Sequence, residues 1–136
     1  MANECVLKVE FSSPVNFIIA DTAFEKGVPL TLADPMTVSA ASADGYCAGI
    51  LAAEKITGSG STSAAVYMDG IFQGTSSAAI TCGTAIAMTG SGNKFKPATA
   101  ADVGRKTAGI ALETTGGDNE TFLFELKPGC NTNAYA

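Results

Sequence analysis

The stretch Ala48-Gly49-Ile50-Leu51-Ala52-Ala53-Glu54 returns, slightly shortened, as Ala108-Gly109-Ile110-Ala111-Leu112-Glu113. Each copy reads small residue, Gly, Ile, apolar run, Glu. Each is followed by a polar Gly-rich turn and an alternating segment, over residues 64–68 in the first case and 121–126 in the second. The offset is 108 − 48 = 60 residues. A second pair, Gly27-Val28-Pro29-Leu30-Thr31-Leu32 and Gly83-Thr84-Ala85-Ile86-Ala87-Met88, repeats at 83 − 27 = 56. Self-similarity at a near-constant period means that one supersecondary unit has been used twice. Alternation within the copies makes that unit a β one.

The chain of 136 residues is one domain by length and can bury a core without staples. Gly, Ser and Thr are abundant and charged residues make up 15%, which favours strands and turns over long helices. Short strands, about eight to ten at spacings near ten residues, predict a barrel or sandwich. The expected fold is all-β: a compact β-barrel or β-sandwich of two related halves with an extended N-terminal arm. Residues 1–19 are the arm, 20–129 the duplicated β domain and 130–136 a polar tail. Within the arm, Pro14 separates two extended pieces, so these either pair with another molecule or form ordinary edge strands. Asp69-Gly70 reads as a tight turn. Single helical turns are expected around residues 42–45, 76–80 and 99–102, where Ser or Thr precedes small residues.

Net charge is −5 and no Lys/Arg cluster exists, which disfavours a nucleic-acid partner. The first residues lack the basic start of a signal peptide. No window approaches the length of a membrane span, so no membrane partner is expected.

Histidine is absent, removing the commonest general base and metal ligand. Cys5, Cys47, Cys82 and Cys130 are far apart in sequence and read as free, mostly buried thiols. Glu54 and Glu113 occupy equivalent repeat positions and could be imagined as a carboxylate pair. A Glu closing a strand before a polar turn is more simply a solvated end. The Gly/Ser loop over residues 57–62 lacks the Lys and the strand-to-helix context of a phosphate cradle. No catalytic residue, metal site or cofactor is expected. Phe72, Phe95, Phe122 and Phe124 read as core. Phe11, Phe17 and Phe24 lie in or near the arm.

The order of these motifs from Gly27 to Gly129 resembles the small capsid cement, or head decoration, proteins of tailed phages, a β-rich family some of whose members were once mislabelled as phage recombinases. The carrying segments are the two Gly-x-x-Leu/Ile strands, Ala48-Gly49-Ile50, and Thr107-Ala108-Gly109-Ile110-Ala111-Leu112-Glu113 with its return. The resemblance implies a virion protein, made in the host cytoplasm, that binds the outer capsid surface and stabilises junctions between major capsid proteins. It implies a homo-oligomer, a trimer first. The capsid-binding residues would be those of the arm: Val6, Leu7, Val9, Phe11, Val15, Phe17, Ile18 and Ile19. The alternative is the base of a head fibre, or another virion surface module, presenting a host- or glycan-binding site.

Overall fold

The computed structural model describes residues 3–43, 45–60, 62–99, 101–102 and 104–130. Among these there is no helix. The strands are β1 (Val6–Val9), β2 (Val15–Ile19), β3 (Pro29–Ala33), β4 (Thr37–Ala40), β5 (Cys47–Leu51), β6 (Ser63–Tyr67), β7 (Gly70–Thr75), β8 (Ala85–Met88), β9 (Phe95–Pro97), β10 (Gly109–Ala111) and β11 (Thr121–Leu126). The first half closes as a five-stranded barrel in the order β2-β4-β3-β5-β6, and the second is an open sheet in the order β1-β7-β11-β10-β8-β9.

The two halves are one unit used twice. Walked from β2, the barrel runs β2-β6-β5-β3-β4, and the sheet beside β1 runs β7-β11-β10-β8-β9. The register agrees as well as the order. Leu30 faces Gly49 in the first half, and Ile86 faces Gly109 in the second. The bridge between Phe24 and Lys55 returns as the bridge between Ile80 and Thr115. Gly27 donates its N–H to Leu51 O, and Gly83 donates to Ala111 O. Both glycines sit near φ +90°, a region that only Gly enters without strain. Even the closure is repeated. The parallel ladder from Ile18 and Ile19 to Thr37 and Val38 shuts the barrel, and its counterpart is a single parallel bridge from Ser76 to Phe95.

Each half has its own core. The barrel is filled by aliphatic side chains around Phe17, including Ile19, Leu30, Val38, Leu51 and Val66. The second half is filled by Phe72, Phe95, Phe122 and Phe124, with ring centroids 4.8–6.4 Å apart. β5 is the seam. All five of its residues are buried, and Cys47 and Ile50 belong to the second core while Ala48 and Leu51 belong to the first.

Arg105 ties the halves together at that seam. Its Nε and one terminal nitrogen donate to Cys47 O and Ala48 O, each at 3.0 Å. In return, the Cys47 N–H donates to Arg105 O. Truncation removes two charged donors from carbonyls of a buried strand, and hydrogen bonds from charged groups contribute about 1.5–3 kcal/mol. Arg105→Ala should therefore lower stability by about 2 kcal/mol, measured as a drop in the urea midpoint. An unchanged midpoint would show that the seam holds without it.

Several expectations change. Residues 6–9 and 15–19 form no free arm: β1 pairs with β7 and β2 pairs with β4 and β6, so of the two readings of Pro14's neighbours the strand reading is realised. Asp69-Gly70 is not a hairpin turn. β6 and β7 belong to different sheets, and this dipeptide carries the chain from one half to the other. Among the described residues no helical turn occurs. Ser76 lies in a bridge, Gly45 donates to Ser42 O in a turn, and the Asp102 carboxylate accepts from Thr99 N–H and hydroxyl. Of the tail expected over residues 130–136, only Cys130 is among the described residues.

Candidate functional site: an apolar strip on the barrel

Of the nine large apolar side chains left in solvent among the described residues, all but Ile56 and Leu112 lie in or just beside β1, β2, β4 and β5. Val6, Val9 and Phe11 lie on β1 and the strap after it. Val15 and Ile18 lie on β2, Met36 follows the Asp34-Pro35 turn, and Tyr46 precedes β5. Met36 joins two open grooves. One, of about 330 Å³, is lined by Asn16, Phe17, Ile18, Thr62 and Ser63 besides Met36. The other, of about 490 Å³, is lined by Leu32, Ala33, Asp34 and Tyr46 besides Met36. Together they make one apolar strip across the barrel, from the β2 edge to Tyr46. The Lys106 amine stands 5.9 Å from the Tyr46 ring centroid, within cation–π range.

The local sequence explains this exposure. On β2, Phe17 and Ile19 alternate inward while Asn16 and Ile18 alternate outward. Met36 is held at φ +45°, and its carbonyl accepts from the Ile18 N–H at 2.8 Å. That bond fixes the turn against β2 and leaves the Met36 side chain 53% exposed. Single exposed apolar residues are ordinary; it is their grouping into a contiguous patch that distinguishes an interaction surface.

Of the eight arm residues, the structure leaves Val6, Val9, Phe11, Val15 and Ile18 exposed and Leu7 half-buried, while Phe17 and Ile19 are barrel core. Phe17 nevertheless borders the groove beside Ile18 and Met36. Sequence reasoning missed Met36 and Tyr46. The available signal was Asp-Pro-Met, a turn that ends on a large apolar residue.

Elsewhere the polar groups hold structure. Lys55 is 6% exposed, and its amine donates to Asp21 Oδ1 at 2.5 Å, Ile56 O at 3.1 Å and Ser59 Oγ at 3.0 Å. Asp21 Oδ2 accepts from the Gly60 N–H, so the Gly/Ser loop is clamped on one ion pair. The Lys55 hydrogen bond outweighs desolvation and, helped by the Gly60 amide, holds the Asp21 carboxyl below its ordinary value of 3.8. A depressed folded value means that the clamp is fully present above the unfolded value and is lost as pH falls through the folded one. Protection of the Gly60 amide, the slowing of its exchange relative to an unstructured peptide at the same pH, should therefore fall as pH drops below about 4. Asp21→Asn should show the low protection at every pH. Because Asp21 is about one-third exposed, solvent screens the pair and global stability should change little.

Glu54 and Glu113 lie one in each half. Glu113 Oε1 accepts from the Leu123 N–H at 2.8 Å, which is a strand-end role. No group of three or more His, Cys, Asp or Glu able to hold a metal occurs among the described residues. All four cysteines are free: Cys5 and Cys47 buried, Cys130 half-buried, Cys82 exposed. Burial pushes the Cys47 thiol up to about 12 and raises Cys5 further, with the neighbouring Cys47 adding to the effect. Thiolate is the reactive form. Alkylation of the native protein followed by peptide mass mapping should label Cys82 and leave Cys5 and Cys47 unmodified until denaturant is added.

These features define an all-β chain of two related halves, one a closed five-stranded barrel and the other an open sheet, with a strip of exposed apolar side chains on the barrel. No family model and no curated protein matches the chain. Among solved structures, the N base of the head fibre protein gp8.5 of bacteriophage phi29 is similar, with a TM-score of 0.53 and 12% sequence identity over 82% of this chain and 91% of that one. At that identity the likeness is one of fold.

Proposed function

We propose that this chain is a structural protein of a phage virion, attached to the outside of the head through the apolar strip on its barrel. The supporting observation is the shared fold, over nearly the whole of both chains, with a protein described as a head fibre base. The strip supplies what such attachment requires: open apolar grooves beside exposed Ile18, Met36 and Tyr46. A capsid offers many equivalent sites, so an oligomer spanning several major capsid subunits gains avidity from individually weak contacts.

Two finer readings share this surface. In the first, the protein is a cement that clamps junctions between major capsid proteins. In the second, which the phi29 likeness favours, it is the base of a fibre or surface module. Co-sedimentation with heads lacking the protein tests the common core. Ile18→Asp with Met36→Asp should weaken attachment at least about tenfold, since each buried side chain of this size contributes about 1.5–3 kcal/mol. Undiminished attachment of the double variant would remove the strip from the proposal. The thermal disassembly temperature of the heads then separates the readings: a cement raises it on binding, and a fibre base leaves it unchanged.

A further inference from the structure

The open sheet has two edges, and they are protected unequally. β9 has three residues, contains Lys96, ends in Pro97 and is preceded by Lys94. It is also drawn back onto Ser76 and Ser77 by the parallel bridge and a hydrogen bond to Phe95 O. Short length, Pro and Lys are the usual means of blocking an edge. β1, the other edge, is also short and carries Lys8, but it has no Pro within it. Its start is tied to the first half by the Cys5 N–H to Gly27 O, and beyond that point no strand among the described residues covers its outer side. A bulge leaves Lys8 without a partner on β7, which confines further pairing to a short stretch.

That stretch is self-complementary. Residues 7–11, the end of β1 and the two residues after it, read Leu-Lys-Val-Glu-Phe. Set antiparallel to itself about a twofold axis at Val9, it places Lys8 against Glu10 of a second copy, Glu10 against its Lys8, Val9 against Val9, and Leu7 against Phe11. Opposite charges and apolar pairs directly across a ladder are the stabilising combinations. Lys8, Val9, Glu10 and Phe11 are all exposed. Neither Lys8 nor Glu10 has a hydrogen bond or ion pair among the described residues, so both charges are available. From the open edge and this charge pattern we infer that β1 is a self-association surface, at which two copies join by antiparallel β1–β1 pairing into one continuous sheet.

Charge reversal tests it on the purified protein, without phage heads, so its failure and that of the virion reading are separable. Sedimentation velocity over a concentration series, from about 1 to about 500 µM, should show a monomer–dimer equilibrium for the natural sequence. Lys8→Glu alone, or Glu10→Lys alone, turns both cross-pairs into like charges and should weaken the dimer at least about tenfold. The double exchange K8E with E10K restores opposite charges and should recover dimerisation. Val9→Cys, at the axis, should yield a disulfide-linked dimer on mild oxidation beyond any formed by the natural thiols. Because these side chains are exposed, thermal melts of the variants should match the parent. A natural protein that stays monomeric throughout overturns the inference. So does a dimer indifferent to the single reversals, which would place the contact elsewhere, or a double exchange that fails to rescue.

Discussion

Gly109→Ala is expected to lower stability by about 3 kcal/mol or more, far beyond the usual cost of Gly→Ala in a strand. A Cβ at Gly109 would lie 2.0 Å from Glu125 O of the neighbouring strand, and one at Gly49 would lie 2.0 Å from Tyr67 O. In both places the obstacle is backbone, so no side chain can turn aside; β10 and β11, or β5 and β6, must separate. Gly49 carries a second penalty because its φ is +146°, a conformation an L side chain adopts only under strain. Gly49→Ala should therefore cost at least as much. Gly83 is the control: it has φ +90° but nothing within 4 Å of an added Cβ, so Gly83→Ala should cost only about 1–2 kcal/mol. Equal midpoints for the three variants in urea denaturation would refute the packing explanation.

The second large effect concerns the N-terminus. A chain lacking residues 1–11 is expected to lose about 3 kcal/mol or more of stability. Cys5 is buried in the phenylalanine core, Leu7 packs against that core, and β1 shields the β7 edge where Leu7 faces Phe72. Apolar burial of this kind contributes about 1.5–3 kcal/mol per large side chain, and the ladder to β7 is lost as well. A free arm would behave differently: its removal would leave the melting temperature unchanged and abolish only binding. An unaltered melt of the trimmed chain would restore that reading. Calorimetry on the shortened and full chains decides between them.

The duplication was legible because it is written in glycines. Gly27 and Gly83 must adopt positive φ, and Gly49 and Gly109 must admit a neighbouring carbonyl, so these positions tolerate little else and stand out at offsets of 56 and 60. The four buried phenylalanines were legible from alternation. The partner of each strand was not. β6 and β7 are nearly contiguous in sequence, and Asp69-Gly70 carries the turn chemistry of a hairpin. Yet β7 finds β1 and β11 because the second half needs its own first strand. Nothing local encodes that choice; it follows from closing the first barrel with β2 in the same role. The strip escaped for a similar reason. Ile18 was named as a residue of the arm, whereas Met36 and Tyr46 join it only once the Asp34-Pro35 turn is folded against β2.

The chain crosses between the halves twice, from β1 to β2 and from β6 to β7, and this has a consequence for synthesis. Every ladder of the barrel joins residues between Val15 and Tyr67, so the first half can close while the second is still on the ribosome. β1 is made earliest, yet its partners Ile71, Phe72 and Gln73 emerge only after that barrel is complete. The opening strand of the chain therefore waits, unpaired, for the second half to arrive. During that interval, neighbouring nascent chains on one message expose the same waiting strand to each other.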